Sequence, residues 1–397
     1  MTEEEFYEDL LALPNLKIDS VEKTKNRFIF HCTIQIKESK CPSCLGNTSQ
    51  RNQYDTRKVR DLKISEREVW LHLRIPQFFC PECNRFFTHK LDWIQAGKSY
   101  TKRQSRFIFE LCAKQPFTAV AAIANISHKT VERLYYALAE EKINLPNRYA
   151  EVRKLGIDEI SNKKGKQDYV CVLTDLEKGI QLDILPNRRK ETLLAHFQKL
   201  GKEFCEQIEV VSCDIWKTYI HVSQECFPNA EIVIDRFHVV KALNEVLDKE
   251  RKKLRRENKD LDCFKSIKWV LYKRPENCKE EDLKLLDEAF EKSWMLEEIY
   301  QLRNTFNSMF DTSPNKEYLQ VELEYWIGHA TAIKNTFMDT FIGTLKRWIK
   351  PISAFASSGI TNAVTEGLNN YLRYFKRISF GLPKFKHMRL RILMATE

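Results

Sequence analysis

The stretch Lys154-Leu-Gly-Ile-Asp-Glu-Ile160 decides the fold of this chain, because it begins a succession of strand-like runs. Two further runs follow it, Tyr169-Val-Cys-Val-Leu-Thr174 and Ile180-Gln-Leu-Asp-Ile-Leu185. Short apolar segments rich in β-branched residues are typical of strands. Three of them in succession predict an antiparallel meander.

Helices and strands alternate after this meander. Helical spacing over Lys190–Leu200 precedes a strand at Ile208–Cys213, and another helix precedes a strand at Glu231–Ile234. This order matches a ribonuclease-H-like α/β domain, in which the first and fourth strands lie side by side. We therefore expect Asp158, in the first strand, to lie close to Asp214, which directly follows the fourth.

Carboxylates at these strand ends are suited to phosphodiester chemistry. Hydrolysis or transfer of a phosphodiester uses two hard cations about 3.5–4 Å apart, one at the attacking oxygen and one at the leaving oxygen. Asp158 and Asp214 would supply oxygen ligands, and a third carboxylate usually comes from a later helix. For either aspartate taken alone, an ordinary surface position at a strand end is the alternative interpretation.

The candidate for the third carboxylate is Glu366, within Thr361-Asn-Ala-Val-Thr-Glu-Gly-Leu-Asn-Asn370. On a helix, Glu366 shares one face with Asn362 and with Asn369 or Asn370, because these residues recur at helical spacing. The polar face of this helix is therefore expected to complete the acidic site.

The chain between Asp214 and Glu366 is too long for a bare domain of this class, which predicts an insertion. Residues 241–353 show amphipathic helical spacing, so the insertion is expected to be all-helical. It contains the basic run Arg251-Lys-Lys-Leu-Arg-Arg256 and the tryptophans Trp269, Trp294, Trp326 and Trp348. Contact with DNA or a second protomer is one interpretation; a solvated basic face and tryptophans packed in the core are the other.

Four of the twelve cysteines form two matched motifs, Cys41-Pro-Ser-Cys44 and Cys80-Pro-Glu-Cys83. Each Cys-x-x-Cys turn places two sulfur atoms on one side of a tight loop, and two such turns supply the thiolates of a closed tetrahedral zinc site. Strand-like sequence at Val69–Pro76 lies between them and suggests a ribbon. We expect Cys41, Cys44, Cys80 and Cys83 to hold one structural Zn²⁺; two redox-active dithiols are the alternative.

A helix-turn-helix pattern follows the cysteine motifs. Apolar residues take helical spacing from Arg103, and two short helices at 117–124 and 128–138 flank a turn at Asn125-Ile-Ser127. The outward positions of the second helix are polar, which suits base edges and phosphates in a major groove: His128, Lys129, Glu132, Arg133 and Tyr136. An ordinary helical hairpin is the alternative. Leu145–Arg148 is predicted to be a linker.

Charge and composition favour a globular protein with a polyanionic partner. The chain has 397 residues and a net charge of +10, and no uninterrupted apolar run is long enough to span a membrane. Its acidic start lacks the features of a signal peptide, so a cytoplasmic location is expected. Residues 367–396 contain no acidic residue and seven basic ones, which favours a polyanionic partner, although a solvated tail is the alternative: Arg373, Lys376, Arg377, Lys384, Lys386, Arg389 and Arg391.

Several ordered motifs resemble bacterial insertion-sequence transposases of the ISL3 family. They are Gly156–Glu159, Val211-Ser-Cys-Asp-Ile-Trp-Lys-Thr-Tyr219, Phe227-Pro-Asn-Ala230, Asp235-Arg-Phe-His238, the 361–370 segment and Met388-Arg-Leu-Arg-Ile-Leu393. The resemblance covers nearly the whole chain, including the cysteine motifs and the helix-turn-helix. It departs at Ala363, where many relatives carry glycine, and alanine suits a helix better.

The resemblance implies a role for each motif. Asp158, Asp214 and Glu366 match the family's Asp-Asp-Glu trio and would hold two Mg²⁺ ions, with Mn²⁺ as a substitute. Asp235 and His238 match an accessory motif in which the histidine approaches DNA; for His238, a packed histidine at the start of a helix is the alternative. Asn362 is a further accessory candidate. Contacts to transposon-end and target DNA are expected from His128, Lys129, Arg133, Tyr136, Arg373, Lys376 and Arg377.

The predicted architecture is α+β and multidomain. A zinc-binding ribbon spans 1–95 and a helix-turn-helix 96–148; the first part of a ribonuclease-H-like domain spans 149–240, a helical insertion 241–353, and the final catalytic helix with its basic tail 354–397. The expected function is DNA strand cleavage and strand transfer by a homodimer or larger assembly on DNA in the bacterial nucleoid. A DNA-binding regulator with a non-catalytic scaffold and a plain metal nuclease are the alternatives.

Overall fold

The computed structural model describes residues 2–95, 99–143, 145–163, 168–258, 262–358, 360, 367–370, 372–373, 377 and 384–395. They form two compact units, one that ends at Lys142 and one that begins at Ile143. Across the described residues, every helix is too short or too polar to cross a bilayer.

The N-terminal unit combines a mixed β-sheet with a group of helices. Its elements in chain order are α1 Glu3–Leu11, β1 Leu16–Lys23, β2 Arg27–Ile34, β3 Ser39–Lys40, β4 Asn47–Thr48, β5 Arg51–Ile64, β6 Arg67–Cys80, β7 Arg85–Thr88, α2 Lys102–Lys114, α3 Phe117–Ala124 and α4 His128–Lys142. The strand predicted at Val69–Pro76 is present within β6. Sequence patterns had not identified α1, β1, β2 or β5.

The sheet of this unit has the order β1-β2-β6-β5, and β7 pairs with the end of β6. The β2–β6 pair is parallel, whereas β1–β2, β5–β6 and β6–β7 are antiparallel. Alternate residues of β2 and β6 point into one core, including Phe30 and Leu71. The long β5–β6 hairpin turns at Ser65 and Glu66, whose positive φ values suit a two-residue hairpin turn.

The predicted helix-turn-helix is confirmed at α3 and α4. Asn125 ends α3 in the left-handed conformation, with φ 50°. The Ser127 hydroxyl caps the start of α4, where it accepts a hydrogen bond from the Thr130 amide at 3.2 Å. Arg60 of β5 fixes this turn, because its guanidinium donates to the carbonyls of Ala124 and Asn125 at 2.7 and 2.8 Å. Arg60 therefore attaches the helix pair to the sheet.

The C-terminal unit is an α/β sheet followed by a long helical region. Its elements are α5 Leu145–Tyr149, β8 Lys154–Lys163, β9 Asp168–Asp175, β10 Ile180–Leu185, α6 Lys190–Leu200, α7 Lys202–Gln207, β11 Val210–Cys213, α8 Lys217–Cys226, β12 Glu231–Ile234, α9 Arg236–Glu257, α10 Cys263–Ser266, α11 Glu280–Lys292, α12 Trp294–Thr312, α13 Lys316–Ala332, α14 Thr336–Ser353, α15 Phe355–Ser358 and α16 Phe385–Ala395; 3₁₀ turns lie at Ile267–Trp269 and Pro275–Asn277. The predicted linker at Leu145–Arg148 is instead part of α5.

The sheet of the C-terminal unit has the order β10-β9-β8-β11-β12. Strands β8, β9 and β10 form the predicted antiparallel meander, and β11 pairs in parallel with both β8 and β12. The predicted adjacency of the first and fourth strands is confirmed, since Cys213 of β11 is in register with Ile157 of β8.

Helices α9 to α14 share a continuous apolar core with the sheet. Trp326 is in this core, where its Nε1 donates to the Leu302 carbonyl at 2.8 Å, and Trp348 is also buried. The prediction of core packing is wrong for Trp269 and Trp294, which are 69% and 64% exposed.

The C-terminal helix α16 covers part of the sheet. Met388 and Ile392 pack against β8, β9 and β10, and Arg389 forms a two-pronged ion pair with the buried Asp183 of β10. Arg391 is also buried. The prediction that the seven basic residues of this segment face a polyanion is therefore partly wrong. Arg389 and Arg391 are enclosed by the packing of the unit itself.

We predict that Arg389→Met lowers the free energy of unfolding by about 3–5 kcal/mol, because it leaves the Asp183 carboxylate buried without its partner. Adding Asp183→Asn to this variant should recover part of the loss, since the buried charge is then removed. Urea denaturation of both proteins measures the difference. The matched control Lys384→Met removes an exposed cation close to the start of the same helix and should change stability by less than about 0.5 kcal/mol. Equal effects of Arg389→Met and Lys384→Met would contradict the prediction.

Candidate functional site

The parallel strands β8 and β11 bring two carboxylates together. Asp158 follows Ile157 in β8 and Asp214 follows Cys213 in β11, so the register of these strands places the two aspartates side by side. His238, in the first turn of α9, joins them, and one ligand atom from each of the three residues lies within 4.8 Å of the others. The expectation that Asp158 and Asp214 lie close together is confirmed.

Asp158 is 8% exposed and is held from two sides. Its Oδ1 accepts from the Glu159 amide at 2.6 Å, and its Oδ2 accepts from the Asn369 side-chain amide. Burial, and then the negative charge of Asp214, raise the pKa of Asp158 to about 6. The site therefore concentrates negative charge where water cannot screen it.

His238 offsets part of this charge. Its Nε2 lies 2.6 Å from Asp214 Oδ1 and 3.7 Å from Asp235 Oδ2. Burial lowers the pKa of His238, but the contact with Asp214 and the charges of Asp235 and Asp158 outweigh burial, so its pKa is raised. Asp235 has a second structural role, since its carboxylate caps α9 by accepting from the Phe237 amide at 3.1 Å.

The donor atoms of this cluster fit a hard divalent cation. Carboxylate oxygens are the ligands that Mg²⁺ prefers, and two carboxylates this close repel each other until a cation neutralises them. The cluster lines a cavity of about 880 Å³ whose lining also includes four basic side chains, Arg236, Lys241, Arg274 and Arg373. Arg236 and Arg274 are both paired with Asp311. A cavity lined by carboxylates and by cations can accept a metal ion together with a phosphate group.

Glu159 lies outside the acidic cluster. It forms an ion pair with Arg188, whose guanidinium lies between the rings of Tyr169 and Trp216 at 4.3 and 4.2 Å. Glu159 also lines the cavity, but its charge is neutralised by this neighbour.

Three predicted residues, Asn362, Glu366 and Lys376, lie outside the described residues. Arg373 and Arg377 are exposed, and Arg373 donates to Asn370 at 2.7 Å. Sequence reasoning did not assign Arg236 or Arg274 to the cavity, and it left open whether Asn369 or Asn370 faces the acidic site. The helical spacing of the 361–370 segment was the signal available for Asn369, whereas Arg274 comes from the helical region, where no local motif marks it.

The four motif cysteines form a second cluster, in the N-terminal unit. One Sγ atom from each lies within 4.8 Å of the others, with Cys41–Cys83 at 3.9 Å and Cys44–Cys80 at 3.6 Å. Tetrahedral zinc with Zn–S bonds of about 2.3 Å requires sulfur atoms about 3.8 Å apart, so the spacing fits zinc. Amide hydrogen bonds from Cys44 and Ser43 lower the pKa of Cys41 to about 6, which favours its thiolate. An amide hydrogen bond from Gly46 lowers the pKa of Cys44, but side-chain hydrogen bonds with the neighbouring thiols and burial outweigh it, so the pKa of Cys44 is raised in the metal-free cluster.

The second helix of the helix-turn-helix presents most of its predicted polar face. His128, Lys129 and Arg133 are exposed. The outward orientation predicted for Tyr136 is wrong: the side chain is 7% exposed, and its ring packs perpendicular to that of Phe117 at 5.7 Å. Tyr136 lies one helical turn after Glu132, and this spacing predicted that it would be on the polar face. In the structure, α3 packs across α4 at this point and covers the Tyr136 ring.

Family models match the chain in three places. A model of the ISL3 transposase domain matches residues 155–392, a zinc-finger model of the transposases IS204/IS1001/IS1096/IS1165 matches 37–83, and a helix-turn-helix model of transposase family ISL3 matches 90–139. The cavity with Asp158 and Asp214, the cysteine cluster and the exposed residues His128, Lys129 and Arg133 of α4 each fall within one of these matches.

Two curated proteins illustrate the similarity. The transposase for insertion sequence element IS1001 of Bordetella parapertussis is 27% identical over 361 residues, which cover 89% of this chain and 88% of that protein. The transposase for IS1557 of Mycobacterium tuberculosis is 26% identical over 358 residues, covering 82% and 78%. Both alignments extend far beyond any one of the three family matches.

We predict that Cys80→Ser removes one equivalent of bound zinc and unfolds the cysteine cluster, because zinc binding there contributes folding free energy. Metal analysis of protein purified without chelator, together with a melting curve, measures both effects. Cys278→Ser, in the C-terminal unit, is the matched control and should keep its zinc. Wild-type protein that contains no zinc would refute the prediction.

Proposed function

Since the chain belongs to the ISL3 family of transposases, we propose that it binds the ends of an insertion sequence and cuts and joins DNA with Asp158, Asp214 and Glu366 as its catalytic trio. The observation that carries this proposal is the pairing of Asp158 and Asp214 at neighbouring strands, inside a cavity whose lining includes basic side chains. Glu366 is included in the trio because of its position in the family-like motif and because of the helical spacing of that segment.

The proposed catalytic fold is a ribonuclease-H-like domain interrupted by a helical insertion. The strand order β10-β9-β8-β11-β12, with three antiparallel strands followed by two parallel ones, supports the first part of this assignment. The succession of helices from α9 to α14 supports the second, and Arg274 and Asn307 of this region line the acidic cavity. The insertion would then form one wall of the active site.

Two Mg²⁺ ions held by the trio would activate the attacking oxygen and stabilise the leaving one. The protein's own groups prepare the site for this chemistry. The Glu159 amide and Asn369 hold Asp158 in place, and His238 holds Asp214. The basic side chains of the cavity walls would position the phosphodiester, since cations that contact phosphates fix the register of DNA on a protein.

The proposed reaction has two displacements at phosphorus. Water first attacks the phosphodiester at the element end, and a 3′-hydroxyl leaves. That hydroxyl then attacks a phosphodiester of the target DNA and displaces the target strand's own 3′ oxygen. The sequence contains no activated serine or tyrosine arrangement, so both steps proceed without a covalent protein intermediate. Both ends of an element must be held together, and we therefore propose a dimer or a larger assembly on DNA.

Asp158→Asn, Asp214→Asn and Glu366→Gln should each abolish cleavage and strand transfer and leave end binding nearly intact, because the carboxylates act as a unit. Folding should survive, since removing one carboxylate relieves repulsion in the metal-free site. Plasmid excision, an end-binding titration and a melting curve measure the three properties. Glu159→Gln is the matched control and should retain activity.

The outcomes of this experiment separate the alternatives. Near wild-type excision by Glu366→Gln would show that the third ligand is a residue other than Glu366. Equal inactivity of the wild type and all three variants, with end binding retained, would instead favour a DNA-binding regulator built on a non-catalytic scaffold.

Arg133→Ala should weaken binding to the element end by about 1–3 kcal/mol more than binding to random DNA, if this exposed side chain of α4 contacts a base edge. Gel-shift titrations at one fixed salt concentration measure both affinities. Arg106→Ala removes an exposed arginine from the neighbouring helix α2 and should leave the ratio of the two affinities unchanged. Equal losses on both DNAs would show that Arg133 contacts phosphate alone.

A further inference from the structure

Asn369 is an unusual polar residue of the acidic cavity. It lies in the helical residues 367–370, is 3% exposed, and lines the same cavity as Asp158, Asp214 and His238. Its neighbour Asn370 has the same side chain but is exposed and accepts a hydrogen bond from Arg373. Two adjacent asparagines therefore occupy opposite environments, and only one of them contacts the catalytic carboxylates.

The two polar atoms of the Asn369 amide have different surroundings. The nitrogen donates to Asp158 Oδ2. Since an ionised carboxylate can only accept, this contact fixes which end of the amide faces Asp158. The oxygen Oδ1 is then buried and has no hydrogen-bond partner within the described part of the chain. A buried acceptor without a partner is unfavourable, so its presence beside two carboxylates requires an explanation.

A cation at the acidic cluster supplies that explanation. Amide oxygens are, with carboxylates, ordinary ligands of hard divalent ions, either directly or through a bound water. Asn369 lines the same cavity as the carboxylates, and the bond from its amide nitrogen to Asp158 fixes the orientation of the amide, so Oδ1 is held close to the acidic cluster. A residue needed merely to pack this helix against the sheet would be satisfied by an apolar side chain of the same size.

We infer that Asn369 is a further residue of the metal site, which holds Asp158 through its amide nitrogen and receives a divalent cation, or water bound to that cation, at its Oδ1. This inference rests on the proposed function, because it assumes that Asp158 binds metal. Asn369 would thus have two roles beside the carboxylate trio: it positions Asp158, and it is a ligand of the cation.

Binding of Mn²⁺ alone to the full-length zinc-loaded protein, without DNA, tests the inference. Electron paramagnetic resonance titration gives the affinity, and melting curves with and without Mn²⁺ give the stabilisation by metal. Asn369→Leu keeps the branched shape of the side chain without its polar atoms and should weaken Mn²⁺ binding by on the order of tenfold, with a smaller metal-induced rise in Tm. Asn369→Asp restores an oxygen donor and should bind at least as tightly as the wild type. Asn370→Ala is the matched control and should bind as the wild type does.

Three results would overturn the inference. Wild-type Mn²⁺ affinity in Asn369→Leu would show that Asn369 has no part in metal binding. A fall in Tm of Asn369→Leu that is the same with and without Mn²⁺ would make the residue a packing element. Affinity of Asn369→Asp as weak as that of Asn369→Leu would exclude the ligand role. Asp158→Asn separates the two proposals: if it binds Mn²⁺ as the wild type does, the proposed metal site itself is wrong, whatever the Asn369 variants do.

Discussion

The parallel pairing of β8 with β11 is the interaction on which the acidic site depends. In parallel strands, in-register residues lie side by side, so the Ile157–Cys213 register places Asp158, within β8, beside Asp214, which directly follows β11. Both strands are also held by other neighbours, since β8 is paired with β9 and β11 with β12. The helices that cover the sheet then close the cavity around the two carboxylates.

Bringing two carboxylates together has an electrostatic cost, and much of the surrounding structure offsets it. Burial and the charge of Asp214 raise the pKa of Asp158 to about 6. Three features limit this cost in the protein itself: hydrogen bonds to Asp158, the raised pKa of His238, and the pairing of Glu159 with Arg188. The last of these keeps a third negative charge out of the cluster. The remaining imbalance is what a divalent cation would neutralise.

The two units present metal-binding side chains of different chemistry. In the N-terminal unit four cysteine sulfurs lie close enough together to surround one ion, which is the arrangement of structural zinc sites. In the C-terminal unit two carboxylates and a histidine line an open cavity, so a bound ion there would keep positions free for oxygens of DNA. The two clusters thus offer different donor atoms, sulfur in the N-terminal unit and oxygen and nitrogen in the C-terminal unit.

The sequence by itself determined the local features of this protein. Periodicity located β8 to β12, α3 and α4, and motif spacing identified the cysteine cluster and both aspartates, because strand alternation and Cys-x-x-Cys turns are encoded by residues close together in the chain. Tertiary structure alone decided which side chains meet across long separations. It buried Tyr136 under α3, paired Arg389 with Asp183, and aimed Asn369 at Asp158. Helical spacing shows which face a residue occupies, but not what packs against that face, because the partner comes from an element whose position depends on the whole fold.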